Sequence, residues 1–197
     1  MSKEKIHIFD TTLRDGAQTQ GVDFSIDDKL KIAKALDDLG VDYIEGGWPG
    51  ANPTDTEFFQ KKIKLNNSVL TAFGMTKRVG RSADNDPGLS SILNSNTPAV
   101  CLVGKSWDFH VDVALGISND ENLKNISEST KLFVKEKKEF MFDAEHFLDG
   151  FKNNKEYALS CIKSAYDNGA RWIVLCDTNG GTLPNEISEI VNEVVKS

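Results

Sequence analysis

The chain has 197 residues, 39% of them hydrophobic and 27% charged, and its 23 basic and 30 acidic side chains give a formal net charge of −7. This composition is typical of one folded domain and excludes a disordered chain, because apolar residues recur throughout and both signs of charge are present. The acidic balance argues against wholesale binding to nucleic acid or to an anionic membrane.

No apolar run approaches the ~18 residues of a membrane span, and the charged residues 1–5 predict the absence of a signal peptide. The three cysteines, Cys101, Cys161 and Cys176, lie far apart in apolar or helical segments. This spacing is typical of reduced thiols rather than of a disulfide framework, and it predicts a cytoplasmic protein.

Short apolar segments alternate with amphipathic segments along the whole chain. The apolar segments predict six strands, at residues 6–9, 41–44, 69–73, 99–103, 139–142 and 172–176. The amphipathic segments predict helices at residues 25–40, 52–63, 87–93, 119–136, 154–168 and 186–196. Ser25 and Asp28 predict an N-terminal cap for the first helix, and Gly40 predicts its end.

Strands that alternate with helices predict an α/β fold with a parallel sheet. The chain holds about six strand–helix pairs, and no linker or shift in composition separates a second domain. A doubly wound open sheet accommodates six strands, whereas a (β/α)8 barrel needs eight strands and typically ~250 residues. The periodicity alone leaves both architectures open and slightly favours the open sheet.

The loop after the first strand, residues 10–18, places two carboxylates, an arginine and an amide close together. An aspartate such as Asp15 can ligate a hard cation, and the neighbouring Arg14 can stabilise negative charge on a substrate oxygen. The alternative interpretation of this loop is a solvated Asx turn with an Arg–Asp ion pair.

Later strand ends also carry polar groups. Glu45 precedes a Gly-Gly-Trp-Pro-Gly sequence, which predicts either close approach of the backbone to a ligand or a sharp turn. Lys105 follows the fourth strand and is either a surface charge or a contact for a phosphate or thioester cofactor. His110, a little further on, is either a structural histidine or a catalytic one.

Glu145 follows the fifth strand. It is either a general base or a loop carboxylate that pairs with Arg14 or with water. Thr178 follows the sixth strand and suits a substrate carboxylate or phosphate, or a capping turn ahead of Pro184. Polar groups after five strands favour a barrel, whose site draws on several strand ends, over an open sheet with one switch point. Neither G-x-G-x-x-G after the first strand nor a P-loop sequence occurs, so nucleotide chemistry loses its main support.

The sequence Asp10-Thr11-Thr12-Leu13-Arg14-Asp15-Gly16 resembles the signature loop of the DRE-TIM metallolyase superfamily. Four further segments resemble the citramalate synthases of its isopropylmalate-synthase-like branch; they are residues 43–53, 104–111, 143–147 and 175–181. The resemblance covers essentially the whole chain. It implies a (β/α)8 TIM barrel of which residues 1–197 form about the first six strand–helix pairs, as a partial pyruvate-carboxyltransferase-like catalytic domain.

The resemblance also implies an acyltransferase that condenses acetyl-CoA with the ketone of a 2-oxo acid and then hydrolyses the thioester. In citramalate synthases the acceptor is pyruvate and the pathway is isoleucine biosynthesis. By this resemblance Asp15 binds a divalent cation (Mg, Mn or Zn), and Arg14 stabilises the developing alkoxide. Glu145 binds the oxo acid or relays a proton, and Thr178 binds the substrate carboxylate. Gln18 and His110 match positions of the substrate pocket.

The histidines depart from the family pattern. The superfamily completes its metal site with a His-x-His pair on the seventh strand, whereas this chain contains only His7, His110 and His146. Asp15 alone is a poor site, because a catalytic metal normally has about three protein ligands. We therefore expect an N-terminal fragment, inactive or nearly so by itself, of a homodimeric cytoplasmic enzyme.

Two kinds of alternative stay open. An isopropylmalate or homocitrate synthase would act on another 2-oxo acid, and one sequence does not reveal the wall of the acceptor pocket; a hydroxymethylglutaryl-CoA-type lyase is more distant. From a different class, the chain would be a non-catalytic barrel remnant that binds a partner or assembles with another chain through its unpaired strand edges.

Overall fold

The computed structural model describes residues 5–197, so residues 1–4 of the charged N-terminal segment lie outside the described part. The strands are β1 (Phe9–Asp10), β2 (Tyr43–Glu45), β3 (Val69–Met75), β4 (Ala99–Lys105), β5 (Glu139–Glu145) and β6 (Trp172–Leu175). The helices are α1 (Ile26–Leu39), α2 (Pro53–Gln60), α3 (Pro87–Asn94), α4 (Asp108–His110), α5 (Asn119–Lys135), α6 (Phe147–Asn153), α7 (Lys155–Asp167) and α8 (Pro184–Val194). Short 3₁₀ helices lie at Gly16–Gln18 and Ala83–Asn85, and α4 continues into a π-helical turn at Val111–Leu115.

The strands follow one another in the sheet in chain order, β1-β2-β3-β4-β5-β6. The pairs β1–β2, β2–β3 and β5–β6 are parallel. A doubly wound sheet reverses its strand order at a switch point, whereas in a (β/α)8 barrel each strand lies beside its neighbour in sequence. The observed order therefore confirms the barrel-type α/β fold and its six strands, and the open sheet favoured by periodicity is wrong.

Contacts between residues divide the chain into two compact units. The first unit comprises the described part of Met1–Gly74 together with Pro87–Cys101. Its α1 begins with the predicted capping box, in which Ser25 Oγ accepts the Asp28 N–H and the Asp28 carboxylate accepts the Ser25 N–H. The helix ends at Gly40, which has a φ of 87° and is the left-handed residue that this kind of helix end requires.

The second unit comprises Met75–Asp86 together with Leu102–Ser197. Its strands β5 and β6 pair in register from Met141 with Trp172 to Ala144 with Leu175. Helix α7 packs against both α5 and α6, and α5 packs on β5 over an aromatic core. The fully or almost fully buried rings of that core are Phe133, Phe140, Phe142 and Phe147.

The main differences from the predicted elements lie at strand ends. The first strand begins at Phe9 rather than at Ile6, because its register with β2 starts at Phe9 opposite Tyr43, and Ile6 is 87% exposed. The fourth and fifth strands run further than predicted and end at Lys105 and Glu145. Two residues that the sequence placed in loops are therefore the last residues of strands.

None of the helices in residues 5–197 is long and apolar enough to cross a membrane. The three cysteines are thiols, as predicted, with Cys101 and Cys161 buried. Burial raises the pKa of the Cys161 thiol to about 12.

Candidate active-site residues

The loop after β1 folds around one backbone carbonyl. The Thr11 carbonyl oxygen accepts the N–H groups of the three residues 14–16, at 2.8 to 3.1 Å. Asp10 accepts hydrogen bonds from the backbone N–H of Thr12 at 2.9 Å and from its hydroxyl at 3.1 Å. The Asx turn of the alternative interpretation is therefore present, and it fixes the backbone from which Arg14 projects.

Arg14 is held by a buried carboxylate and an aromatic ring of the first unit. Its Nε donates to Glu45 Oε2 at 2.6 Å, and the Glu45 side chain is fully buried at the end of β2. Its Cζ lies 4.0 Å from the centre of the Phe73 ring, and Nη1 donates to Asp15 Oδ1 at 3.0 Å. The Arg14 side chain is 17% exposed. A guanidinium fixed in this way is prepared to stabilise negative charge without reorganising.

The glycines after Glu45 make room for neighbouring side chains. A Cβ atom at Gly46 would lie 2.7 Å from the Phe58 ring. At Gly47, where φ is 141°, it would lie 2.5 Å from the Asp55 carboxylate carbon. Of the two interpretations of this sequence, the structure supports the sharp, tightly packed turn.

A buried ion pair between Lys29 and Asp55 holds the same turn, and sequence reasoning missed it. Lys29 is 2% exposed; its Nζ donates to the Gly46 carbonyl at 2.9 Å and pairs with the Asp55 carboxylate. Asp55 also accepts the Trp48 N–H at 2.8 Å. The available signal was the position of Lys29, three residues after Ile26 and four before Ala33, on the apolar face of α1.

Asp15 and Gln18, the predicted metal ligand and substrate contact, are both exposed. The Asp15 side chain is 63% exposed and is paired with Arg14. Among the described residues, no group of three His, Cys, Asp or Glu ligand atoms that could hold a metal includes Asp15. Asp15 therefore does not complete a divalent-cation site with the residues described. Gln18 ends the 3₁₀ helix and makes no hydrogen bond through its side chain to another described residue.

In the second unit, an ion pair joins the ends of two neighbouring strands. Lys105 Nζ, at the end of β4, is paired with Glu145 Oε2 at the end of β5. The next residue, Ser106, donates its N–H and its hydroxyl to the Glu145 carbonyl oxygen at 3.2 and 2.7 Å. Glu145 is thus fixed by Lys105, a partner that sequence reasoning had treated separately.

His110 and Thr178 both contact His146. The His146 backbone, with a φ of 55°, donates its N–H to Thr178 Oγ1 at 2.9 Å, which leaves the threonine hydroxyl proton to donate elsewhere. The His110 and His146 rings meet edge to face with their centres 4.2 Å apart, and Trp107 stacks on His110 at 4.9 Å. Burial, and then electrostatic interaction with His146 and with the Lys105 ammonium group, lower the pKa of His110, which favours a neutral imidazole.

The sequence matches the HMGL-like family over residues 5–197, and the chain belongs to this family. Its relatives include the (R)-citramalate synthase of Aquifex aeolicus, 53% identical over 97% of this chain and 37% of that protein. The (R)-citramalate synthase of Sulfolobus acidocaldarius is 48% identical over 99% of this chain and 38% of that protein. A 2-isopropylmalate synthase of the same organism is 31% identical over 100% of this chain and 48% of that protein. The chain thus spans less than half the length of these relatives.

Solved structures support the fold. The hydroxymethylglutaryl-CoA lyase of Pseudomonas aeruginosa superposes with a TM-score of 0.79 over 98% of this chain and 64% of that chain, at 16% identity. The HMG-CoA lyase of Brucella melitensis gives a TM-score of 0.77 over 96% of this chain and 68% of that chain, at 12% identity. At these identities the likeness concerns the fold alone.

Proposed function

We propose that a protein containing this chain is a citramalate synthase, an acyltransferase that condenses acetyl-CoA with pyruvate in isoleucine biosynthesis. The observation that carries the proposal is the 45–53% identity to relatives named (R)-citramalate synthase, against 31–32% to relatives named 2-isopropylmalate synthase. The chain supplies part of the catalytic domain. The divalent cation that the family resemblance implies would need other ligands besides Asp15.

In the proposed reaction the acetyl-CoA methyl group loses a proton, its carbon attacks the pyruvate ketone, and the ketone oxygen becomes an alkoxide. Arg14 is the group of this chain that stabilises that oxygen, because its guanidinium is held in place by Glu45 and Phe73 before the charge develops. The alkoxide takes up a proton, and water then hydrolyses the thioester and releases coenzyme A and citramalate.

The second unit supplies groups that bind the oxo acid and move protons. The Thr178 hydroxyl, which already accepts the His146 N–H, donates its proton to the substrate carboxylate. Glu145 binds the oxo acid or relays a proton as a carboxylate held by Lys105. The neutral imidazole of His110 offers the oxo acid one hydrogen-bond donor and one hydrogen-bond acceptor.

An acceptor panel tests this proposal. The full-length gene product is assayed by thiol release from acetyl-CoA with pyruvate, 2-oxoisovalerate or 2-oxoglutarate. We expect kcat/KM to favour pyruvate by at least about tenfold, because each extra methylene in a pocket of fixed size changes the rate by about 10- to 200-fold. Preference for a larger oxo acid would contradict the assignment of pyruvate as the substrate. Absence of turnover with all three oxo acids would contradict the proposed condensation itself. The 197-residue chain, assayed in parallel, is expected to be inactive or nearly so.

A further inference from the structure

We propose that the segment after β3, residues 76–86, binds the phosphate groups of a coenzyme A thioester through Arg78 and Arg81. This segment is called the β3 loop below. The inference rests on the proposed function, since it says where the acyl donor of that reaction is held. The β3 loop lies entirely in the second unit.

The β3 loop begins beside the end of β4. The Thr76 N–H donates to the carbonyl oxygen of Val103 at 3.1 Å, two residues before β4 ends at Lys105. Lys105 is paired there with Glu145, the last residue of β5. The loop therefore starts at the C-terminal strand edge, where barrel enzymes place their substrates.

A buried lysine fastens the β3 loop to helix α5. The Lys77 side chain is 2% exposed, and its Nζ donates to the Arg81 carbonyl at 2.9 Å and lies 3.3 Å from Glu128 Oε2. The Lys77 N–H donates to Ser129 Oγ at 2.9 Å. Because desolvating an ammonium group is costly unless it is paired, these contacts hold Lys77 and the carbonyl of Arg81 in place.

A second set of contacts closes the β3 loop. The Arg78 N–H donates to the buried Asp86 carboxylate at 2.8 Å, and the Arg81 N–H donates to the Arg78 carbonyl at 3.3 Å. Gly80, between the two arginines, has a φ of 75° and open space where a Cβ would stand. The exposed tip of residues 78–81 is therefore a fixed turn and not a freely moving segment.

Neither arginine of this tip pairs with a carboxylate of residues 5–197, although the chain has a net charge of −7. Among the arginine side chains of residues 5–197, only that of Arg14 forms an ion pair. Arg81 Nη1 makes one long hydrogen bond, 3.4 Å, to the Asn85 carbonyl. Two exposed guanidinium groups on a fixed turn suit phosphate oxygens, which accept paired N–H donors from arginine. The exposed side chain of Val79 lies between them in sequence.

Acetyl-CoA and acetyl-pantetheine test the assignment, because acetyl-pantetheine carries the same thioester without the diphosphate and 3′-phosphate. In the full-length protein, Arg78→Ala/Arg81→Ala is expected to raise KM for acetyl-CoA by at least about tenfold. The kcat and the KM for pyruvate stay within about twofold of wild type, and KM for acetyl-pantetheine is unchanged. Lys131→Ala/Lys135→Ala is the matched control, since it removes two exposed positive charges from α5 of the same unit and leaves KM for acetyl-CoA unaltered.

Two results overturn the assignment: an unchanged KM for acetyl-CoA in the arginine variant, or an equal rise in KM for acetyl-pantetheine. Arg78→Lys/Arg81→Lys keeps the charge but not the paired donors, so it recovers only part of the loss. Calorimetric titration with coenzyme A separates this inference from the proposed function. If no oxo acid is turned over, tighter binding of coenzyme A by the wild type than by the alanine variant still supports the phosphate site, and equal or absent binding overturns it.

Discussion

Buried or half-buried charged side chains fix the backbone and the reactive groups at the strand ends of this chain. Glu45 holds the Arg14 guanidinium, Lys29 holds the carbonyl of Gly46, and Lys105 holds the Glu145 carboxylate. Each pair joins residues that are distant in sequence. A hydrophobic pattern carries no information about such pairs, which is why sequence reasoning named Arg14, Glu45, Lys105 and Glu145 separately but did not pair them.

At the residue scale, removing Lys29 is expected to destabilise the chain strongly. Lys29→Met leaves the buried Asp55 carboxylate without its cation, so the free energy of unfolding should fall by about 3–5 kcal/mol in urea denaturation. Lys31→Met is the matched control, because Lys31 is exposed on the same helix and its loss should change stability by less than about 0.5 kcal/mol.

A double-mutant cycle with Asp55→Asn shows whether the effect arises from the ion pair. The loss in the double variant is expected to be smaller than the sum of the two single losses, because either substitution alone already breaks the pair. Strictly additive losses would show that Lys29 and Asp55 stabilise the chain independently.

At the scale of elements, local signals predicted most of the fold. The N-terminal cap at Ser25 and the helix end at Gly40 were both identified from sequence, because each depends on a few adjacent residues. Strand ends were less predictable. The fifth strand continues through Asp143 to Glu145 although these residues are polar, since backbone pairing with β6 extends to Ala144.

Helix α6 was missed because its sequence contains Gly150, which is a weak helix former. The structure supplies the reason for this glycine. A Cβ there would lie 2.6 Å from the Ser106 carbonyl oxygen and 3.0 Å from the Trp107 Cα. The glycine lets α6 pack directly against the segment that leads from Lys105 to His110.

The expected effect of Gly150→Ala on stability is therefore opposite to that of the same substitution in an ordinary helix. In an open helix alanine would stabilise by about 1 kcal/mol. Here the clash with backbone atoms should destabilise by about 1–3 kcal/mol in urea unfolding. Gly181→Ala is the control, because nothing lies within 4 Å of its Cβ position and the change should be close to neutral. A stabilised Gly150→Ala variant would show that α6 is not tightly packed.

At the scale of the whole molecule, strand order and family membership agree. Six parallel strands in chain order define a barrel-type fold, and the HMGL-like family covers residues 5–197. The net charge of −7 argues against a general affinity for anions, so the proposed substrates, an anionic oxo acid and an acyl-CoA, would depend on local cations. We have proposed Arg14 for the ketone oxygen of the oxo acid, and Arg78 and Arg81 for the phosphate groups of the acyl-CoA.

The role of Arg14 is the centre of the proposed chemistry, and kcat of the Arg14→Gln variant tests it most directly. In the full-length protein with acetyl-CoA and pyruvate, loss of this donor to the developing alkoxide should lower kcat by about 10²- to 10³-fold. The circular dichroism spectrum should stay that of the wild type. Arg171→Gln, which removes an exposed arginine stacked on Trp172, should retain wild-type kcat. An Arg14→Gln variant with kcat within about twofold of wild type would contradict the assignment of Arg14 as the group that stabilises the alkoxide.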